Sequence, residues 1–497
     1  MSIFIGVDIG TTNIKVIASD ASMNLLCEEK TGYPMFQPQD GYSEQDAEAI
    51  YRAFTNVFSQ LLTKIDRSRV KAVAFSAAYH SVVCVDSSGE ALGPVITWAD
   101  TRSNTYAKEL QRSGRAAIIY EKTGTPIHPM TPLCKIAWIR DHQPEIFSKT
   151  HKFISVKEYI WYKLSGRFEI DHSIASATCL FDSRALTWSA EALDFCGISE
   201  SQLSTPVPVL HRTGLLESVR DQLNLPEGVI FIAGAGDGAT ANLGSAPVLP
   251  GLAVLTIGTS AAIRTLSYES LRDSAGSLFS YIVADKLYIN GGPINNGGIV
   301  LQWFLETFLQ KPATEESFEW LFREAAGIKE GAGGLIFLPY ILGERAPVWD
   351  ANARGAFIGI RSHHSIRHFM RAVIEGVCFA LLQVLNKMEE KSAIDVLYAT
   401  GGFTQSPFWL QLLADILNKE IRVCNHADAS ATGAIYLAMK ATGAIKDWPD
   451  IGHFQVTQKS IFPDPAKQNA YSGNFSIFNQ LYEKLKNDFE RLSAGLL

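Results

Sequence analysis

The sequence has few cysteines, no excess of positive charge and no uninterrupted apolar run of membrane-spanning length, and each shortage removes a class of protein. Its seven cysteines, at 27, 84, 134, 179, 196, 378 and 424, are scattered over 497 residues without one CxxC pair. That excludes a disulfide framework or thiolate metal knuckle and predicts reduced, mostly buried thiols, as in cytoplasmic proteins. Lys+Arg (44) are outnumbered by Asp+Glu (51), so no nucleic-acid or acidic-membrane partner is expected. The chain enters its first strand without a basic leader, and no apolar run approaches the ~18 residues that cross a bilayer. Walker and Rossmann glycine spacings are absent too. What is there is an ordinary globular composition, 47% hydrophobic, in a chain too long for one core and suited to two domains.

Residues 3–20, IFIGVDIGTTNIKVIASD, organise the rest. Two β-branched runs flank Gly10-Thr11-Thr12-Asn13, the pattern of an antiparallel hairpin with a tight turn. Gly10 lets a polyanion approach the backbone, Thr11 and Thr12 offer donors, and Lys15 adds a positive charge. Asp8 beside a phosphate site makes sense with a divalent cation between them. A plain surface hairpin would show the same pattern once. Residues 252–266, LAVLTIGTSAAIRTL, show it again, with Gly258, Thr259 and Ser260 at the tip. A fold of two similar halves would face these tips across a cleft, around a nucleotide.

Taken in order, Ser43 is a candidate N-cap for a helix carrying Ala49, Tyr51, Phe54, Val57, Phe58, Leu61 and Leu62. Residues 70–89 read as strand, interruption and strand, placing Tyr79 and His80 where α/β folds contact ligands; a His satisfied by a backbone carbonyl is the competing account. In residues 97–103, TWADTRS, Trp98 offers an apolar wall, and Asp100 and Arg102 either bind substrate hydroxyls or a carboxylate or tie down a loop. A rigid loop and helix (123–142), a helix ending at Gly166 and a stretch of loop and short strands (169–188) follow. Residues 229–238 form a buried strand, a glycine turn and Asp237, a carboxylate placed to act as a base, with a helix N-cap as the alternative. Pro247, Pro250 and Gly251 mark a boundary between domains 1–246 and 247–497.

Beyond it, residues 287–308 give a strand and a helix starting near Gly297 or Gly298, whose amides suit phosphate. Glu344, Arg345 and Asp350 share a Pro/Gly-bounded loop, and residues 365–390 form a long buried helix. Gly401-Gly402 before a helix lets a flat ring, such as adenine, lie on glycine backbone. From Tyr471 to Leu492 apolar residues recur at steps of four and three, an amphipathic helix packing on the body, with a partner helix as the alternative.

Together DIGTTNIKV, MTPLCKIAWIRDH, GAGDGATANLG, TIGTSAAIRT, GAFIGIRSHHSIRHFMRAVIE and ATGGFTQSPFWLQLLADIL, running in order from residue 3 to about 440, resemble the FGGY carbohydrate kinases. The resemblance implies an α/β protein of two actin-like ATPase (ribonuclease H-like) domains facing each other across a cleft. It implies ATP and Mg²⁺ as cofactors and a small sugar or sugar acid as the partner, and leaves a homodimer open. Asp8 would hold Mg²⁺ through water, with Asp237 beside it; Thr11, Thr12 and Lys15 would hold phosphates; Asp237 would be the base. Gly258, Thr259, Gly298 and Gln302 would flank the nucleotide phosphates, and Gly401, Gly402 and Ser406 the adenosine. Gln405-Ser406-Pro407 stands where relatives often carry Asn or Arg, which leaves purine selectivity open. Tyr79, His80, Trp98, Asp100, Arg102, His128 and Lys135 would contact the sugar. SAAYHSVVCVD, ITWADTRS and LPYILGERAPVW look most like the gluconate kinase branch; the xylulose kinase branch carries Gln-Met-His-Gly where this chain has Ala78-Tyr79-His80-Ser81. For a gluconate carboxylate, His80, Arg102, His128, Lys135 and Arg345 are the available cations and donors. The alternatives are a kinase for xylulose or another pentulose or polyol, and an actin-like ATP-binding switch needing neither base nor sugar pocket.

Overall fold

β-Branched runs at the start of the chain close into a hairpin, β1 (Ile3–Ile9) and β2 (Asn13–Asp20), with Ile3 opposite Asp20 and Ile9 opposite Ile14. The computed structural model describes residues 2–424, 428–455 and 457–494, which divide into two compact units. The first comprises Met1–Leu249, Leu266–Ile289 and His426–Gln455; the second comprises Pro250–Thr265, Asn290–Asn425 and Val456–Leu497.

In the first unit, β1, β2, β3 (Leu25–Gly32), β4 (Val70–Ala77), β5 (Arg212–Thr213) and β6 (Ile230–Gly236) form one sheet in the order β5-β6-β4-β1-β2-β3. β4 runs parallel to both β1 and β6, so the C-terminal ends of β1 and β6 leave the sheet at the same edge, where α/β folds gather ligands. Alternation along β1 decides the layers. Ile3, Ile5, Val7 and Ile9 pack with Ile50, Phe54, Val57, Phe58 and Leu61 of the helix Ala47–Thr63, while Phe4 joins the core on the opposite face with Ala431, Ala434 and Ile435. On that face a Cβ at Gly6 would collide with the Ala431 carbonyl, and one at Gly433 with the Thr240 carbonyl. The small residues of the helices Asp237–Ser245 and Ala429–Thr442 therefore serve close packing on the sheet and on each other.

The expected N-cap at Ser43 is corrected: Asp46 caps the helix by accepting from Ala49 N–H at 2.9 Å. Ser43 is held one turn earlier, its N–H donated to Asp100 at 2.7 Å and its hydroxyl bonded to Thr97, because Glu44–Gln45 pairs as a strand with Val95–Ile96. The stretch expected as loop and short strands contains a helix, His172–Ala177, capped by Asp171.

The second unit repeats the plan. β7 (Gly251–Ile257), β8 (Ala261–Ser267), β9 (Ile394–Thr400), β10 (Glu420–Cys424) and β11 (Thr457–Ile461) run in the order β8-β7-β9-β10-β11, with β7 antiparallel to β8 and parallel to β9. The helix Ile366–Glu389 is long and apolar enough to cross a membrane, against the expectation from apolar runs, yet 83% of its most apolar window is buried. Its Arg371 and Glu375 pair at 2.6 Å, and Arg371 also donates to Tyr471 of the helix Pro465–Ala494. Tyr471, Phe478 and Phe489 of that last helix are buried, as its apolar spacing predicts, while Leu492 is exposed.

Candidate functional site

At the shared edge of the first sheet, Gly10 N–H donates to Asn13 C=O at 3.0 Å, closing the hairpin tip. Trp98 Nε1 donates to Thr11 Oγ1 at 2.9 Å and Gln45 Nε2 to Thr11 C=O at 2.6 Å, while the Tyr33 hydroxyl donates to Gly10 C=O. Thr12 and Asn13 are exposed at the tip. One step back, Asp8 pairs in register with Lys15 across the hairpin.

Hydroxyls bridge the Asp8 carboxylate to the helix that Asp237 opens. Ser76 Oγ donates to Asp8 Oδ1 at 2.6 Å and lies 2.8 Å from Thr240 Oγ1, whose single proton serves either Ser76 or the Gly236 and Asp237 carbonyls at 3.2 and 3.1 Å. Asp237 is the first residue of its helix; its carboxylate accepts from Gly238 N–H at 2.7 Å. Burial, with Asp428 and Asp237 nearby, pushes the Asp8 carboxyl up to about 7, against the opposing pull of Ser76 and Lys15. A buried carboxyl in such company is eased into its charged form by a bound cation, so this corner fits Mg²⁺. Among the described residues no three His, Cys, Asp or Glu side chains form a metal cluster.

The sequence reading missed Asp428. It caps the helix Ala429–Thr442, accepting from Ala431 N–H at 2.9 Å, and pairs with Lys15 Nζ at 2.8 Å. Its signal is local: Asp428-Ala-Ser-Ala-Thr repeats the acid-then-small pattern of Asp237-Gly-Ala-Thr. Glu28 approaches the same ammonium at 3.5 Å.

The residues expected at the sugar fall into two groups. Tyr79, Trp98 and Thr11 line one narrow crevice with Tyr33, Gln45 and Ser81. The Tyr79 ring lies 5.2 Å from Tyr281, and the His80 ring 5.9 Å from it. His80 adopts a left-handed φ of 64°, a conformation costing about 1 kcal/mol or more that the surrounding structure must hold in place. Lys135 holds it: its buried Nζ donates to His80 C=O at 2.5 Å and to Thr97 C=O at 2.6 Å, and burial lowers its pKa to about 7. Arg102 donates to Asp100 at 2.7 Å and Glu44 at 2.6 Å, with its guanidinium 3.5 Å from the Tyr42 ring centre. Asp100 and Arg102 thus tie the TWADTRS loop to residues 43–44. His128 Nδ1 accepts from Met130 N–H at 3.2 Å, which leaves its proton on Nε2 in the neutral ring.

The second unit contains a cavity of about 680 Å³, the size of a nucleotide or drug-sized ligand. It is lined by Gly258, Thr259, Gly298, Gln302, Gly402 and Ser406, all expected from sequence. Gly401 sits beside it with φ +117°, where a Cβ would collide with the Ile257 carbonyl, whereas a Cβ on Gly402 would meet nothing within 4 Å. Gly298 N–H donates to Gly258 C=O at 2.8 Å and Ile299 N–H to Thr259 C=O at 3.1 Å, so the helix Gly298–Trp303 is docked on the hairpin tip by the amides expected for phosphate. Ser406 caps the helix Pro407–Leu417 through Trp409 N–H at 3.3 Å. Missed from sequence was the opposite wall, the helix Glu315–Ala326, which presents Phe318, Phe322 and Arg323. Phe322 lies 5.5 Å from Trp409, centre to centre. Arg345, in the same unit, is spent in part on Ile294 C=O at 3.2 Å.

Comparison with known proteins bears on the family and the fold. The N-terminal domain model of the FGGY family of carbohydrate kinases matches residues 3–244 and the C-terminal domain model residues 253–442. A gluconokinase of Bacillus subtilis is 35% identical over 506 residues, covering 99% of this chain and 98% of that protein. The crystal structure of gluconate kinase from Lactobacillus acidophilus superposes with TM-score 0.94 at 33% identity, over 99% of both chains. The ligand-bound xylulose kinase from Lactobacillus acidophilus also gives 0.94 at 33%, over 99% of this chain and 100% of that one.

Proposed function

The chain belongs to the FGGY family of carbohydrate kinases, and from that premise we propose that it phosphorylates D-gluconate with ATP and Mg²⁺, giving 6-phospho-D-gluconate. Its fold is the two-domain α/β fold of actin-like ATPase type. In the proposed division of labour, residues 1–246 hold the sugar and the base and residues 247–497 the nucleotide, and the enzyme works in the cytoplasm.

The observation that carries the reading is that Ser76 bridges Asp8 and Thr240, a residue of the helix that Asp237 opens, so a phosphate-type hairpin and a carboxylate share one sheet edge. An ATP-binding switch needs no base there for a sugar hydroxyl. Asp237 accepts the proton of the terminal hydroxyl as its oxygen attacks the γ-phosphorus and the bond from phosphorus to the bridging oxygen of ADP breaks. Lys15 and the Thr11-Thr12 tip offset charge on the transferring group. Asp8 and Asp237 are the residues that would hold Mg²⁺, which when bound would supply further neutralisation of that charge. Tyr79, Trp98, His80 and His128 contact the sugar, while Lys135, Asp100 and Arg102 hold the loops that carry them. Gluconate is favoured by the gluconokinase relative and by Ala78-Tyr79-His80-Ser81.

A second reading, xylulose as acceptor, is favoured by the equal superposition on the xylulose kinase. ADP release measured with Mg-ATP and, separately, gluconate, xylulose, glycerol, ribulose and fuculose decides. The expected result is a kcat/KM for gluconate at least tenfold above the others. Preference for xylulose would replace the substrate, and slow turnover indifferent to sugar would overturn the kinase reading.

A further inference from the structure

The Ala235–Gly236 peptide, one peptide unit before the one that joins Gly236 to Asp237, is gripped at both of its polar ends by buried side chains. Lys157 Nζ, on the helix Val156–Ser165, donates to Ala235 C=O at 3.1 Å, and Gly236 N–H donates to Ser173 Oγ at 3.2 Å. Lys157 is in turn paired with Asp171 at 2.8 Å, and both are almost wholly buried, 4% and 3% exposed. Asp171 spends its other oxygen on Ile174 N–H at 3.0 Å, fixing the start of the short helix that presents Ser173. The clamp sits where the sheet itself is irregular: the pairing of β6 with β4 shifts register between Ile232 and Ala235, a bulge of the kind that re-aims the residues after it.

Ser173 has a second partner, the Tyr79 hydroxyl at 3.0 Å, and a Cβ on Gly236 would collide with the Tyr79 ring. The residue proposed to contact the sugar and the peptide that aims the proposed base therefore meet on one oxygen.

We propose that Lys157, Asp171 and Ser173 are positioning residues that fix the Ala235–Gly236 peptide plane and so aim the Asp237 carboxylate at the substrate hydroxyl, with Ser173 coupling that aim to Tyr79. The proposal rests on Asp237 being the base. It follows from reach: a carboxylate must meet its proton within hydrogen-bond distance, and rotating the preceding peptide by a few tens of degrees displaces the carboxylate by about an ångström, enough to cost roughly a hundredfold in rate. Lysine and aspartate fit the task because a lone buried charge would be unstable, whereas the pair leaves spare donors for the carbonyl and a spare oxygen for the helix start.

The test uses the full chain and two sets of variants, each made with Asp237 intact and with Asp237→Asn. Ser173→Ala removes one oxygen and tests the N–H side. Lys157→Met with Asp171→Asn removes the carbonyl grip without stranding a charge and keeps an Asn at the helix cap. With Asp237 intact, kcat is expected to fall about tenfold to a hundredfold while ATP affinity and thermal midpoint stay near those of the parent. With Asp237→Asn, neither set should lower kcat further, because nothing remains to be aimed. Unchanged kcat with Asp237 intact, or the same further fall in both backgrounds, overturns the positioning role. Parental turnover in Asp237→Asn alone overturns the base assignment itself, an outcome read before any clamp variant is compared.

Discussion

Lys15 and Asp428, far apart in the chain, meet as an ion pair at 2.8 Å beside Asp8. The ammonium expected at the phosphates is thus held by the cap of the helix Ala429–Thr442, and three carboxylates, Asp8, Asp428 and Glu28, share its influence. Lys15→Met removes the charge proposed to serve the phosphates and leaves Asp428 without its ion-pair partner. It is expected to lower kcat/KM for ATP by about tenfold or more. Adding Asp428→Asn, which still caps the helix, should recover part of the stability lost, because the stranded carboxylate is gone. Steady-state kinetics and thermal midpoints of the two single variants and the double variant check this; strictly additive stability losses would refute the coupling.

The two adjacent glycines of the second unit should respond in opposite ways. Gly401 has φ +117° and ψ 173° and faces the Ile257 carbonyl, so Gly401→Ala places a side chain in a glycine-only conformation and should destabilise by about 1–3 kcal/mol. A side chain on Gly402 enters open cavity space. Gly402→Val should leave the thermal midpoint within a few degrees of the parent while weakening ATP binding at least about tenfold. Titration of each variant with ATP, beside a melting curve, distinguishes them; unchanged ATP affinity in Gly402→Val would place the nucleotide elsewhere.

Asp237→Asn keeps the shape of the side chain and removes its basicity. Turnover with saturating sugar should fall about 10² to 10⁴ while ATP binding is retained. Near-parental turnover on saturating sugar would reject the role.

Much of this could be read from the residues because it is written locally. Both hairpin tips have a glycine-hydroxyl signature, the last helix a four-three spacing, and Gly401-Gly402 a turn signature before a helix, and the structure contains each. Asp428 has a local signal that does not discriminate: an acidic residue before small residues looks like any helix cap until the fold brings it to Lys15. The wall formed by Phe318 and Phe322 is equally silent, because aromatic residues on an amphipathic helix read as core until a cavity opens beside them. Asp100, Arg102 and Lys135 show the reverse. Their residue types suit sugar binding, yet Asp100 and Arg102 bind each other and Glu44, and the Lys135 ammonium holds two backbone carbonyls. Spacing alone does not tell a ligand-facing charge from one that fastens a loop.

Glu158 gives a pH dependence with a definite sign. The side chain closes the capping box of the helix Val156–Ser165, its carboxylate accepting from Ser155 N–H at 2.6 Å while its own N–H donates to Ser155 Oγ at 3.2 Å. Burial pushes its carboxyl from 4.5 up to about 7, outweighing the hydrogen bonds that favour the charged form. The folded state therefore keeps a proton that the unfolded chain releases above about 4.5. The stabilisation is complete below that pH and is lost as pH rises through 7. At about 1.36 kcal/mol per pH unit the loss approaches roughly 3 kcal/mol. Glutamine closes the same box without titrating, so Glu158→Gln should match the parent near pH 5 and be the more stable protein at pH 8. Urea midpoints of the two proteins between pH 5 and 8 measure it. Because the other buried titratable groups are common to both, only the difference between them is diagnostic, and a difference that does not grow with pH would show that Glu158 ionises as freely in the folded chain as in the unfolded one.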